Sequence, residues 1–352
     1  MDYIEIAGYK SIKDIKLKLT PINILIGANG AGKSNFISFF EFLNQLYDQK
    51  LEEYIPLRGG QDKLLFHGRK VSDEIKSHIS FNEEVNGYSF TIKAGDDHMV
   101  FVNEDLWFKS NSWSMTSYSS KAMVKTNQTG RGAYVNNFLK GFRKYHFHDT
   151  SKNSPFTQLS HVDNDSYFLY EEGKNLAAYL YSIRKDHNTV YQRIIKTIQS
   201  IAPFFSDFYF KPNKEGLIRL QWEDKYNSSI YGATDLSDGT IRFVALATLF
   251  LQPSLPQSII IDEPELGLHP FAIAKLAGMI QSVAARGTQV ILATQSADLV
   301  NHFTPNEIVV VDQIDGESLF ARLKEDELQS WLDEYSVGDL WQRNIIQGGQ
   351  PK

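Results

Sequence analysis

The segment PINILIGANGAGKSNFISFFEFLNQLY, residues 21–47, most constrains what this chain can fold into. A short apolar run leads into a loop with glycines at 27, 30 and 32, and the loop opens onto a long apolar stretch with helical spacing. Gly27 to Ser34 reads G-x-x-x-x-G-K-[S/T], a pattern that carries chemistry where a strand delivers it and a helix follows. The glycines let the backbone curl so that successive N–H groups point at one anion, and the helix N-terminus adds its dipole. Lys33 can then reach the outer phosphates of a nucleoside triphosphate, and Ser34 can hold Mg²⁺. The bland alternative, a glycine-rich turn, does not require this context.

Two later segments have the same logic of a buried strand ending in polar residues. SIIIDEPELGLHP, from Ser258 to Pro270, brings Asp262 to the carboxyl end of an apolar run, where open parallel sheets put their ligands. Asp262 suits Mg²⁺ through water, and Glu263 is placed to orient and deprotonate an attacking water. ILATQS ends in Gln295 and Ser296; the amide of Gln295 can sense a terminal phosphate or simply cap the strand. A fourth stretch, ATDLSDGTIRF (233–243), offers a Leu-Ser-x-Gly turn at the start of an apolar helix, with backbone N–H groups and the Ser237 hydroxyl facing an anion.

Composition narrows the class. The chain has 352 residues, so a core domain with an inserted or appended subdomain is the expectation. With 42 acidic and 36 basic residues the net charge is −6, and no overall basic character advertises nucleic acid. The absence of cysteine excludes disulfides, thiolate catalysis and cysteine-based zinc sites. The N-terminus alternates like a strand and lacks the apolar core of a signal peptide. No apolar run approaches the length of a membrane span, so a cytoplasmic protein without membrane contact is expected.

Along the chain, residues 2–8 and 15–19 read as strands, and Asn86-Gly87 between two alternating runs reads as a hairpin turn. Residues 109–137, rich in Ser, Asn, Thr and Gly, read as a mobile loop. Residues 173–201 have helical spacing up to Pro203. From 233 onward the pattern returns to α/β. This predicts an N-terminal lobe over 1–70, an inserted β-hairpin and helical subdomain over 71–230, and a C-terminal lobe over 231–352.

Together the four motifs resemble the ABC-type ATPases. The resemblance implies an α/β P-loop NTPase fold, an ATPase head carrying an inserted α+β subdomain, with ATP and Mg²⁺ as its ligands. It places Asn29, Gly30, Ala31, Gly32, Lys33, Ser34 and Asn35 around the phosphates and Ser34 and Asp262 at the metal. Glu263 becomes the catalytic base, Gln295 the switch residue and Gly267–His269 the D-loop. In that family the LSxGx signature closes over the nucleotide held by the opposite subunit, so Ser237 and Gly239 would serve a second chain, with Arg242 a weaker candidate for the same role. Gln61 lies in the region of the Q-loop, where it would reach the metal; a surface glutamine is the equal alternative.

IEIAGYKSIKDIKLKL and NILIGANGAGKSN look like the RecF/SMC/OLD-like branch, and within it like stand-alone bacterial ATPases related to OLD-type proteins. GGQDKLLFHG (59–68), KYHFHDTS (144–151), EEGKNLAAYLYSI (171–183), APFFSDF (202–208) and YSVGDLWQRNIIQGGQP (335–351) support this. SMC relatives carry a long coiled coil, which needs apolar heptads absent here. OLD nucleases append a TOPRIM domain, for which the roughly 80 residues after Ser258–Pro270 leave no room. The resemblance therefore implies a homodimeric ATPase regulating a separately encoded effector, of TOPRIM-like nuclease type, in bacterial anti-phage defence. The alternatives are a RecF-like repair ATPase binding DNA directly and a non-hydrolysing scaffold.

Two features stay outside this scheme. His146, His148 and Asp149 have strand-like i, i+2 spacing that suits metal ligands, but without a third distant ligand, packing or phosphate-side hydrogen bonding is the better reading. Lys121, Lys125, Arg131, Lys140, Arg143 and Lys144 concentrate positive charge, either as a solvated face or as a DNA or partner surface.

Overall fold

The computed structural model describes residues 1–96, 98–116, 118–128 and 130–346, apart from the side chain of Arg131. They form two compact units. The first contains Met1–Lys144, Pro256–Ile260 and the chain from Gln289; the second contains Tyr145–Leu255 and Ile261–Thr288.

In the first unit the fully buried strand Ile22–Ile26 pairs in parallel with Gln289–Ala293 on one side and Ile308–Ile314 on the other. A strand covered on both faces reads as a continuous apolar run, as INILI does. The exception is Asn23, wholly buried; its amide donates to the Thr20 carbonyl at 2.7 Å, and its carbonyl accepts from the Thr20 N–H at 3.0 Å and from Arg322. Glu317–Arg322 adds an antiparallel edge through a turn at Asp315 and Gly316, both with positive φ. Ser258–Asp262 and Phe142–Tyr145 complete the six-stranded sheet beyond Gln289–Ala293.

A second, antiparallel sheet runs in the order Ile12–Lys18, Tyr3–Tyr9, Glu74–Phe81, Asn86–Ala94, Met99–Phe108, Asn111–Thr116. Its inward-facing Ile4, Ile6, Ile75, Ile79, Phe90 and Phe101 share one core with Phe36, Phe39, Phe40 and Phe42 of the helix Lys33–Tyr47. Each such side chain contributes roughly 1.5–3 kcal/mol on burial. That core clamps the helix behind the loop Gly27–Gly32.

The second unit is built on Asp238–Leu251, apolar almost all round and packed between the helices Asn188–Gln199 and Pro270–Ala285. A helix of this composition must be buried. A three-stranded antiparallel sheet, Phe205–Phe208, Gln221–Asp224 and Ile230–Gly232, adds a cluster of Phe205, Phe208 and Trp222. Among the described residues no helix is long and apolar enough to cross a membrane.

The structure differs from the sequence expectation at several places. The first compact unit runs on to Lys144, because Tyr3–Tyr9 pairs with Glu74–Phe81 and so draws the hairpins into it. Asn86-Gly87 is not the turn: Asn86 pairs with Phe81 and Gly87 with Ser80, and the left-handed residues are Asn82, Glu83 and Glu84. Residues 109–137 are not a loop throughout, since they contain the edge strand Asn111–Thr116 and the start of the helix Gly130–Gly141. Residues 173–201 hold two helices, Leu176–Asp186 and Asn188–Gln199, parted at His187. The end of the last family-like stretch, 347–351, lies outside the described residues.

Candidate active site

In the first unit, the loop Gly27–Gly32 joins the central strand to the helix Lys33–Tyr47. Only glycine fits at both ends of it. A Cβ on Gly27 would lie 2.1 Å from the Val311 carbonyl oxygen, and Gly32 has φ +113 with its Cβ position 2.0 Å from Ser318 Oγ. Lys33 is 5% exposed and folds back inside the loop, donating to the carbonyls of Gly27 at 2.7 Å and Ala28 at 3.0 Å. Asn29, Gly30 and Ser34 face solvent, while Ala31 is buried. Asn35 donates to Ser11 Oγ at 2.7 Å and so pins the first helical turn to the neighbouring sheet. No side chain caps this helix, which leaves its leading N–H groups for an anion.

Gln295 is exposed just beyond Gln289–Ala293, the strand parallel and adjacent to the one that feeds the loop. The two strand ends therefore lie at the same edge of the sheet. Gln61 opens the short helix Gln61–Leu64 and is buried, not a surface residue; its Oε1 has no hydrogen-bond partner.

The second unit holds the acidic motif. The strand Ser258–Asp262 is buried up to its last residue, and Asp262 Oδ1 is buried without a hydrogen-bond partner. An orphaned carboxylate oxygen is costly unless something binds it. Mg²⁺ takes oxygen ligands, so Asp262 Oδ1, Gln61 Oε1 and the exposed Ser34 hydroxyl each have the chemistry to hold it. Glu263 follows at φ +43, an uncommon conformation for a residue with a side chain and one that marks functional sites.

Ser237 caps the helix Asp238–Leu251, its Oγ accepting from the Thr240 N–H at 3.3 Å, and it is exposed. Gly239 packs on the backbone of Gly267, which has φ +77 and is itself exposed. His269 caps the following helix through Nδ1, accepting from the Phe271 N–H at 3.2 Å. Arg242 has its guanidinium engaged inside its own chain: it donates to the carbonyls of Phe147 at 3.1 Å, His148 at 2.8 Å and Leu266 at 2.7 Å.

His148 Nε2 donates to the backbone carbonyl of Asp262 at 2.8 Å, and its ring stacks on His146 with centroids 4.5 Å apart. Asp149 accepts from the Ser151 N–H at 2.9 Å. Among the described residues no three His, Asp or Glu side chains converge as a metal site. The His pair was visible in the sequence, but its partner lies 114 residues away. Of the six basic residues picked out from sequence, Lys125 pairs with Asp48 at 2.7 Å and Lys144 with Glu41 at 3.0 Å; the Arg131 side chain lies outside the described residues.

A family model described as "AAA domain, putative AbiEii toxin, Type IV TA system" matches residues 22–301, most of the chain. Among solved structures, an SMC head bound to the C-winged helix domain of ScpA is similar with a TM-score of 0.64 at 15% identity, over 94% of this chain and 99% of that one. An SMC head domain with an extended coiled coil, bound to the C-terminal domain of ScpA derived from Pyrococcus furiosus, gives 0.57 at 15% identity, over 95% and 98%. At that identity the likeness is one of fold. No curated protein matches.

Proposed function

The chain belongs to this AAA-domain family, and on that footing we propose that it binds ATP with Mg²⁺ and hydrolyses it at composite sites formed by two copies of itself. The observation that carries this reading is the end of the buried strand: an orphaned Asp262 Oδ1 followed directly by Glu263 in a left-handed conformation. On binding, Lys33 exchanges the carbonyls of Gly27 and Ala28 for β- and γ-phosphate oxygens, and the uncapped N–H groups of the loop and helix take the rest. Ser34, Asp262 and Gln61 would hold Mg²⁺, whose role is to neutralise charge on the phosphates. Glu263 accepts the proton of a water attacking the γ-phosphorus in line, and the bond to the β-phosphate oxygen breaks to leave ADP. Gln295 orients that water.

Ser237 is exposed at a helix start, which suits it to close on a phosphate held by another copy. A family description that names a toxin and a type IV toxin–antitoxin system supports a defence setting. In that setting the ATPase regulates a separately encoded, nuclease-type effector. The test is phosphate release from Mg·ATP as a function of protein concentration. The rate per chain should rise with concentration and vanish in Lys33→Ala. A rate per chain that stays constant at high dilution overturns the composite site.

A further inference from the structure

We propose that Arg242 and His148 are positioning residues for the base of their own chain: between them they hold both ends of the segment that carries Glu263. His148 Nε2 donates to the Asp262 carbonyl at 2.8 Å. That carbonyl belongs to the same planar peptide as the Glu263 N–H, so anchoring it sets the orientation from which Glu263 adopts φ +43. At the other end, the Glu263 carbonyl accepts from the Leu266 N–H at 3.2 Å to close a turn, and the Leu266 carbonyl accepts from Arg242 Nη1 at 2.7 Å.

Arg242 also fixes the anchor itself. Its Nη2 donates to the His148 carbonyl at 2.8 Å and its Nε to the Phe147 carbonyl at 3.1 Å. One guanidinium, planar and with donors in a fixed fork, thus locks the extended segment Phe147–His148 to the turn after Glu263. Gly267 accommodates it, because a Cβ there would lie 2.8 Å from Nη1. A left-handed glutamate persists only where its surroundings over-determine it, and this clasp does so. Arg242 sits on the signature helix, yet its donors point to its own backbone. Its role is to place Glu263, not to meet the nucleotide of a second copy.

The inference rests on the composite-site reading for the identity of the base, and the experiment separates the two. Arg242→Gln cannot span three carbonyls. It should lower kcat on the order of 10–100-fold, the scale of a small displacement of a reacting group, with ATP affinity unchanged. His148→Phe keeps the stack on His146 but loses the donor, and should fall likewise; His148→Gln keeps an N–H donor and should retain most of kcat. Mixing variants then assigns the chain. Ser237→Arg mixed with Lys33→Ala leaves one composite site intact, so activity returns. Arg242→Gln mixed with Lys33→Ala should not recover, because the intact loop and the displaced Glu263 belong to the same chain.

Recovery of that second mixture to the level of the first, a wild-type kcat in Arg242→Gln, or equal losses in His148→Gln and His148→Phe would overturn the positioning role. A first mixture that stays inactive overturns the composite-site reading instead, and the positioning role is then decided by the two His148 variants.

Discussion

Gly239 and Gly267 meet backbone to backbone: a methyl group on Gly239 would lie 2.3 Å from the Gly267 carbonyl oxygen. Gly239 is therefore required by its own chain before any second copy is considered. Gly239→Ala should push the helix Asp238–Leu251 off the turn after Glu263, at about 1–3 kcal/mol for overpacking against backbone. Gly30→Ala, at the open tip of the loop Gly27–Gly32, meets nothing within 4 Å and faces only the strain of φ +82. Urea unfolding of the two variants should show the larger loss in Gly239→Ala. The reverse order would mean the close approach relaxes without cost.

Glu263→Gln keeps the shape of the side chain and removes its basicity. ATP should still bind, and hydrolysis should fall by about a hundredfold or more, within the range of general-base catalysis. Paired, ATP-bound chains should accumulate as a result, visible by sedimentation. Single-turnover rates near wild type would remove Glu263 from the role.

Glu104 offers a stability test away from this chemistry. It is wholly buried, and its two carboxylate oxygens accept from the Met123 N–H at 2.7 Å, the Val124 N–H at 3.0 Å and the Tyr88 hydroxyl at 2.9 Å. Burial raises its pKa, while these three donors act the other way. A glutamine has one acceptor oxygen, so its amide would turn a donor towards donors. Glu104→Gln should lose about 2–3 kcal/mol, the scale of a hydrogen bond to a charged group, measured as a lower denaturation midpoint. An unchanged midpoint would show that the turn at Met123 does not depend on the carboxylate.

What could be read from the sequence was what the backbone encodes locally. The loop Gly27–Gly32 needs glycines at fixed spacing between a strand and a helix, and all of that lies within residues 22–47. The Asn86-Gly87 reading failed because register decides which residues turn, and pairing of Phe81 with Asn86 moves the bend to Asn82–Val85. The helix Gly130–Gly141 was hidden by a composition poor in helix formers; buried Val135 and Leu139, and Asn136 donating to the Val124 and Asn127 carbonyls, hold it instead. The links from Arg242 and His148 to the Glu263 segment were invisible for a different reason. Their acceptors are backbone carbonyls, which leave no residue type to recognise.

Lys10 predicts a pH dependence. Its ammonium donates to Ser38 Oγ at 2.8 Å, and burial, with Arg58 and Lys144 nearby, lowers its pKa to about 8 from an ordinary 10.5, against the pull of Glu41. Below about pH 8 the folded and unfolded chains both hold this proton, so the group gives no slope. Between about 8 and 10.5 the unfolded chain still holds a proton that the folded chain has released, so folding stability rises with pH across that window. The full linkage is discounted because the group is partly solvated, leaving about 1–2 kcal/mol. Lys10→Met removes the group while leaving every other titration in place. The gap in unfolding free energy between wild type and variant should therefore shift in favour of wild type as the pH rises from roughly 7 to 9.5. That range stops short of Arg322, which burial lowers to about 10. Parallel curves for the two proteins would show that Lys10 keeps an ordinary lysine pKa in the fold.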